Sequence, residues 1–454
     1  MSEEKPRKEL DGVRLGYDAA NTSYKRQNKT IDLSSEDKVT TQTERRRLVS
    51  NSRDLERNFP AAAWAINKHL DYVSTFNFQA RTGDRKLDQD IENLVRWWSL
   101  AANCDVAGRH SLHQLIRLCE HARTTDGDIF VNKISNGRLQ LIEEDKVHNV
   151  YGIEANKLLG KPEEYVHGVR VNKNLRALSY VVAERVQSYG NNYQFRAELP
   201  AQYVYHLGYY KRYDQVRGIS PMANAINSFQ DVSEATELHL AKMKVAQYFG
   251  LKVTRDSTES LDNDAAAKSD PYQFDFGKGP ILLDLDAGDD AQFMNASVGS
   301  ENDFKNYLEI MLQLCLKSLD IPYTFYDVSG ANYSSARQDL LQYELSAKAK
   351  RDQLVSMLDN LTAWRLSLFI NDGVLKLPNG TSLSDIRWEW VPYAVPWIDP
   401  QKEVAAYVNA IENKLTSRSA VAKAQGKDWE DVLDQLEKEE KLIKEKLGDN
   451  TNDN

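Results

Sequence analysis

The spacing of apolar residues in the last third of the chain predicts two helices separated by a polar loop. In 304–319, apolar side chains recur every three or four residues, as they do on the buried face of a helix. Pro322 ends this pattern, because proline lacks an amide donor and disfavours helix in the residue before it. A polar run follows, and Ser335 with Gln338 fits the capping-box pattern at the start of a second helix. That helix is expected to continue to 371–373, a length of about 54 Å.

Upstream of this pair, the sequence indicates both short helices and short antiparallel hairpins, a mixture that is expected of an α+β fold. Ser111 is expected to cap a helix, and the Asn-Gly pair at 136–137 predicts a tight hairpin between two strands. The Ser-Pro pair that opens 220–249 marks another helix start, and apolar spacing continues through that segment. A small α/β insertion is expected in 250–300, between two long helices.

Other short apolar runs predict strands at 73–81, 280–285 and 386–391. After the last of them, Asp399 and Pro400 have the order of a cap followed by a proline that is typical of a helix N-terminus.

Composition limits the class of protein. The chain has 454 residues, of which 41% are hydrophobic and 28% charged, so it is long enough for two or three domains with buried cores. No segment approaches twenty consecutive apolar residues, which excludes a membrane-spanning helix. The first residues contain no apolar segment of the kind found in secretory signals.

The cysteines predict a reducing compartment rather than disulfides. Cys104, Cys119 and Cys315 are few and odd in number, and two of them fall on apolar helix faces. One group of cysteines and histidines contains the side-chain types that bind zinc: Cys104, His110, His113, Cys119 and His121. Their spacing matches no structural zinc pattern, so no metal site is predicted.

The net charge of −9 argues against a protein that grips DNA tightly, because such proteins usually carry a basic excess. It is compatible with a protein that lets a polyanion pass. The arginines at 45–47 are most simply explained as a solvated helix face, and contact with nucleic acid or a partner is the alternative.

One group of residues resembles acid–base or metal chemistry: Glu143, Glu144, Asp145 and His148. Acidic residues at the end of a strand are usually just solvated, and nothing nearby in the sequence completes a site. The chain contains no phosphate-binding P-loop, no G-x-S-x-G and no H-E-x-x-H. We therefore predict no catalytic residue, no metal and no cofactor.

Several short motifs recur in one known family. They lie at 16–20, 52–58, 105–109, 141–145, 215–221, 331–337, 399–400 and 402–403. With the order of elements, they resemble the portal proteins of tailed bacteriophages, specifically the lambda-type family, over roughly residues 15 to 447. The motifs at 215–221 and 331–337 are the most specific.

The resemblance implies a portal fold with a mixed wing domain, a helical stem, a small α/β clip and an α-helical crown, assembled as a ring of twelve subunits around a DNA channel. On this sequence the implied parts are an N-terminal arm (1–57), the wing (58–224), a first stem helix (225–249), the clip (250–300), a second stem helix (301–321), a tunnel loop (322–334), a long helix with its return to the wing (335–399), the crown (400–447) and a disordered tail (448–454).

It also implies a function and partners. Double-stranded DNA would be packaged through the ring by the terminase large subunit and later ejected. A head-completion or adaptor protein and the major capsid and scaffolding proteins would contact the ring, with no membrane involved. The protein would be part of the virion at the capsid portal vertex, after assembly in the host cytoplasm. The alternatives are a metal-dependent nuclease and a structural virion protein without a channel.

The tunnel loop supplies the candidate site residues, which are Ser329, Gly330, Asn332, Tyr333, Ser334 and Arg337. Gly330 would allow unusual backbone conformations. Neutral donors with one arginine suit brief, sequence-blind phosphate contacts, whereas several lysines would hold DNA by counterion release. The alternative is that Tyr333 and Arg337 only pack and pair within the assembly.

Overall fold

A computed structural model of the chain describes residues 34–151, 156–185, 193–247, 250–255, 289–294, 301–393 and 399–447. The expectations for 1–33, for most of the clip, for the strand at 280–285 and for the tail lie outside these described residues. Within them the protein is a mixture of helices and antiparallel sheets, which confirms the α+β class.

The helices and strands have the following bounds, in chain order. The helices are α1 (Glu36–Val39), α2 (Gln42–Asn58), α3 (Pro60–Val73), α4 (Arg85–Trp98), α5 (Ala101–Cys104), α6 (Leu112–Thr125), α7 (Ile226–Gln247), α8 (Glu301–Leu316), α9 (Tyr333–Asn371), α10 (Pro400–Glu412), α11 (Arg418–Ala424) and α12 (Trp429–Leu447). The strands are β1 (Phe76–Ala80), β2 (Asp128–Lys133), β3 (Leu139–Glu143), β4 (Tyr165–Val166), β5 (Val169–Val171), β6 (Ala177–Arg185), β7 (Tyr193–Pro200), β8 (Val204–Gly208), β9 (Gly250–Arg255), β10 (Asp289–Met294) and β11 (Trp388–Pro392).

Two antiparallel sheets lie side by side in the first half of the chain. β2 is the central strand of one, with β3 and β8 at its edges. The predicted Asn-Gly hairpin between β2 and β3 is confirmed, and Gly137 has a φ of 83°, which favours glycine. The other sheet is the meander β4–β5–β6–β7, and a β-bridge joins its Val182 to Val147, four residues after the end of β3.

Some predicted element bounds need correction. The expected strand at 73–81 begins later, because Val73 still belongs to the buried stripe of α3, and β1 then pairs with β11. The expected helix at 220–249 also begins later. Ser220 accepts a hydrogen bond from the Met222 amide and so caps a short 3₁₀ turn, after which α7 starts at Ile226.

The long helix α9 is continuous over 39 residues, as the sequence predicts. One face of it is buried in the main core, where Tyr343, Leu354 and Leu358 pack with apolar residues of α3 and α6. Polar contacts fix its position along the core, since Lys350 donates 2.9 Å to the main-chain oxygen of Leu319. The predicted capping box of Ser335 and Gln338 is wrong, because the helix begins before it.

Arg45 contradicts the expectation of a solvated arginine face. Its side chain is buried, and its guanidinium donates to Glu144 at 2.6 Å and to the main-chain oxygen of Gly218 at 2.6 Å. Burial of a charge requires such partners, and they come from parts of the chain that lie far apart in sequence. Arg45 therefore connects α2 with the turn that follows β3 and with the loop that follows β8.

All three cysteine thiols are free and buried. None of the helices within the described ranges is long and apolar enough to cross a bilayer.

Candidate functional site

The segment between α8 and α9 has a base that is fixed in the core. Asp320 adopts a left-handed conformation with a φ of 62°, and Ile321 after it is buried. The ring of Phe325 lies 5.4 Å from that of Tyr72 and 5.3 Å from that of Tyr343, measured between ring centroids. These contacts define where the loop leaves the core, so its outer part extends from a packed base.

The outer part of the loop is exposed and polar. Val328 is 65% exposed, and the Ser329 amide donates 2.9 Å to the Asp327 side chain. Gly330 lies at the turn, but its φ is not in the left-handed region and a Cβ there would meet no atom within 4 Å. The backbone freedom of glycine is therefore not required at this position, contrary to the expectation from the sequence.

Asn332 caps α9 and sets the orientation of the residues after it. Its side-chain oxygen accepts from the Ser335 amide at 2.9 Å, and the Ser335 hydroxyl accepts from the Asn332 amide at 3.1 Å. This reciprocal pair places Tyr333 and Ser334 in the first helical turn rather than in the loop. Asparagine is as good an N-cap as serine, which explains the early start.

The first turns of α9 contact the start of α10. Arg337 donates through Nη1 to the carboxylate of Glu403 and lies 3.5 Å from the Tyr333 hydroxyl. The ammonium of Lys402 lies over the Tyr333 ring, 4.6 Å from its centroid, and also 2.9 Å from the Asp399 carboxylate. We call these five residues the α9–α10 clasp. Two positive and two negative groups meet there, so the clasp is neutral.

The candidate residues thus fall into two groups. Tyr333 and Arg337 belong to the clasp, with Asn332 and Ser334 next to them in the chain, whereas Ser329 and Gly330 remain on the exposed outer loop. The partners Lys402 and Glu403 were not among the residues predicted from the sequence. Their motif at 402–403 was a signal, but no periodicity connects it with 331–337.

In the acidic group at 143–148, the carboxylates of Glu144 and Asp145 form ion pairs with arginines. Glu144 is buried and lies 2.6 Å from Arg45, and Asp145 lies 3.1 Å from Arg53. Burial, together with the charge of Arg46, lowers the pKa of His148 to about 4, so this imidazole is neutral at pH 7. Carboxylates bound by guanidinium groups are poor candidates for metal ligands or general bases.

The cysteine and histidine side chains that suggested a zinc site have other partners. Cys119 packs in the core, and His121 bonds Glu56 at 2.6 Å. Across the ranges that the structure describes, no group of three or more His, Cys, Asp or Glu side chains is arranged to hold a metal ion.

The fold and the chain both have known relatives. A family model described as "Phage portal protein, lambda family" matches residues 24–351. A "Probable portal protein" of Halomonas phage phiHAP-1 is 23% identical over 399 residues, which cover 82% of this chain and 74% of the relative.

Two solved structures share the fold. The first is the neck of a native gene transfer agent particle computed with C12 symmetry, with 13% identity, a TM-score of 0.51, and coverage of 84% of this chain and 94% of that one. The second is the neck of an empty particle computed with C6 symmetry, with 14% identity, a TM-score of 0.51 and the same coverage. Because the family model covers well over half of its length, the chain belongs to the lambda family of phage portal proteins.

Proposed function

We propose that the protein forms a ring of twelve subunits at one vertex of a phage capsid, and that double-stranded DNA enters and leaves through its axial channel. The observation that carries this proposal is the family match over 24–351, which spans α7, α8, the loop after them and much of α9. The twelvefold symmetry of the similar neck structure supports the copy number.

Apolar side chains on α7 and α8 support assembly. The two helices pack against each other, with His239 and Phe304 stacked at 3.8 Å, yet both present apolar residues to the outside. The exposed apolar residues are Leu238, Leu240, Met243, Tyr307, Ile310 and Leu314. Exposed apolar surface of this extent usually marks an interface, and α7 and α8 would be the stem helices that pack between neighbouring subunits.

The channel surface would repel DNA more than hold it. Twelve copies of a chain with a net charge of −9 give a wall with the same sign as phosphate. The outer loop and the neutral clasp would line the narrowest part and make brief phosphate contacts through Asn332, Tyr333 and Ser334. Such a surface allows movement in both directions and still slows the loss of packaged DNA.

The remaining assignments follow the same proposal. The clip around β9 and β10 would meet the terminase large subunit during packaging and a head-completion or adaptor protein afterwards. The wing would contact capsid and scaffolding proteins, and α10 to α12 would form the crown. The finished ring would be a virion component without catalytic activity of its own.

Heads assembled with Tyr333→Ala or Arg337→Ala rings test the proposal. We expect normal rings, but heads that package shorter DNA or leak it, measured by the length of nuclease-protected DNA over time. Tyr203→Ala and Arg212→Ala are matched controls, because both residues are exposed and lie in or beside the sheets. If the loop variants package and retain DNA like the parent while the controls also do so, the assignment of the channel surface fails.

A further inference from the structure

The contacts between α9 and α10 join two sequence motifs that lie far apart in the chain. Arg337 and Glu403 are 66 residues apart, yet they form an ion pair in which 39% of the arginine side chain and 14% of the glutamate side chain remain exposed. Arg337 and Asp327 are the charged residues of the segment 322–337. Glu403 therefore neutralises the one cation that this segment could offer to a phosphate.

Lys402, which precedes Glu403 in the first turn of α10, makes a second contact with the start of α9. Its ammonium lies over the Tyr333 ring, while its charge is balanced by Asp399, which also caps α10. Cation–π contacts of this kind are favourable and directional. The Tyr333 ring is thereby oriented by α10 rather than by the loop.

We propose that Glu403 and Lys402 are positioning residues that hold Arg337 and Tyr333 in a neutral surface, so that DNA meets hydroxyl and amide donors instead of a free guanidinium. This inference rests on the proposed channel function. The arginine side of the pair is 39% exposed to water, and ion pairs that water can reach are weak, so a phosphate can displace Glu403 for a moment without being held. The strength with which the ring retains DNA would then depend on α10, although α10 is not part of the loop.

The test uses purified rings and a short fluorescent DNA duplex, with binding measured at several salt concentrations. Glu403→Gln frees Arg337, and the slope of log affinity against log salt should become steeper by about 0.9 for each Arg337 that gains a phosphate. The gain in affinity should be about fivefold or less for each such subunit, since the lost ion pair is weak. The double variant Glu403→Gln/Arg337→Gln should return to the slope of the parent.

Glu412→Gln is the matched control, because it removes the same charge from the exposed far end of α10. Glu403→Asp, which keeps the charge, should behave like the parent. If Glu403→Gln and Glu412→Gln give equal slopes, total charge accounts for the effect and the inference is overturned.

A second readout does not depend on DNA. The guanidinium of Arg337 should react faster with phenylglyoxal in Glu403→Gln rings than in parent or Glu412→Gln rings, as measured by mass spectrometry. An unchanged rate overturns the inference even if the channel function is right. Failure of the proposed function has a different result, namely that alanine variants of Tyr333 and Arg337 package and retain DNA like the parent.

Discussion

Arg217 and Asp128 form a two-point ion pair that is fully buried, with Nε 2.7 Å from Oδ2 and Nη2 3.0 Å from Oδ1. Burial alone would raise the pKa of Asp128, but the charges of Arg217 and Arg45 reverse the effect and hold it well below the usual value. Next to this pair, the backbones of Gly127 and Gly218 touch, since a Cβ on Gly218 would lie 2.1 Å from the Gly127 oxygen. The motif at 215–221 therefore packs against β2, and it also contacts α2, because the main-chain oxygen of Gly218 accepts from Arg45.

Replacement of Arg217 by alanine should destabilise the protein strongly. Asp128 would be left buried with less compensating charge, which costs about 3–5 kcal/mol when one partner of a buried pair is removed. Arg212→Ala in the same loop should change stability by less than about 0.5 kcal/mol, because its pair with Asp214 is exposed. Urea unfolding measures both, and equal midpoints for the two variants would contradict the structural role of Arg217.

Stability should fall as the pH is lowered from about 6.5 towards 4. Burial lowers the pKa of His69, His148 and His206 in the folded protein, that of His148 to about 4. The unfolded chain binds protons first, so the stability that is present above the ordinary histidine pKa is lost through this window. His148 alone should account for about 2 kcal/mol by pH 5.

Unfolding midpoints in urea between pH 7 and pH 5 test this, with His148→Asn as the comparison. The variant should show a shallower pH dependence than the parent. A midpoint that stays level or rises as the pH falls would show that the buried histidines carry no such linkage.

The native thiols should react slowly. Burial raises the pKa of Cys104 and of Cys315 to about 11, and that of Cys119 to about 12. Ellman's reagent at mild alkaline pH should therefore modify them only after denaturation, whereas Ser329→Cys on the exposed loop should add one thiol that reacts at once. Rapid modification of the native parent would contradict the burial of these residues.

Asn332→Ala should loosen the start of α9, because loss of an N-cap costs about 1 kcal/mol. Hydrogen exchange of the amides at 333–337 should accelerate, and exchange in the middle of α9 should not change. Gly330→Ala is the control, since open space surrounds this position. Faster exchange in the control than in Asn332→Ala would place the cap elsewhere.

Local signals in the sequence predicted many of the elements correctly. Ser111 with Gln114 caps α6, and Asp399 caps α10, because a cap depends on residues three or four positions apart. The continuous α9 followed from apolar spacing over many turns. The start of α9 was placed late because Asn332 and Ser335 are both good caps, and only the three-dimensional hydrogen bonds distinguish them.

Pairings between side chains that lie far apart in the chain could not be predicted from the sequence. Arg45 bonds Glu144, which is 99 residues away. The sequence near Arg45 shows only further arginines at 46–47, and this local pattern suggested a solvated face. For the same reason, Tyr333 and Arg337 were identified as candidates while their partners Lys402 and Glu403 were not. Periodicity describes which face of one element is buried, but it contains no information on which charge of another element meets it.

The central claim is that this chain builds a closed ring with an axial channel, and imaging of the purified protein by negative-stain electron microscopy tests it most directly. The exposed apolar residues of α7 and α8 should be covered by neighbouring subunits, so we expect ring-shaped particles with a central hole and, in the averaged top views, twelvefold symmetry. A stable, monodisperse monomer at micromolar concentration and physiological salt, with no rings in the images, would contradict the account.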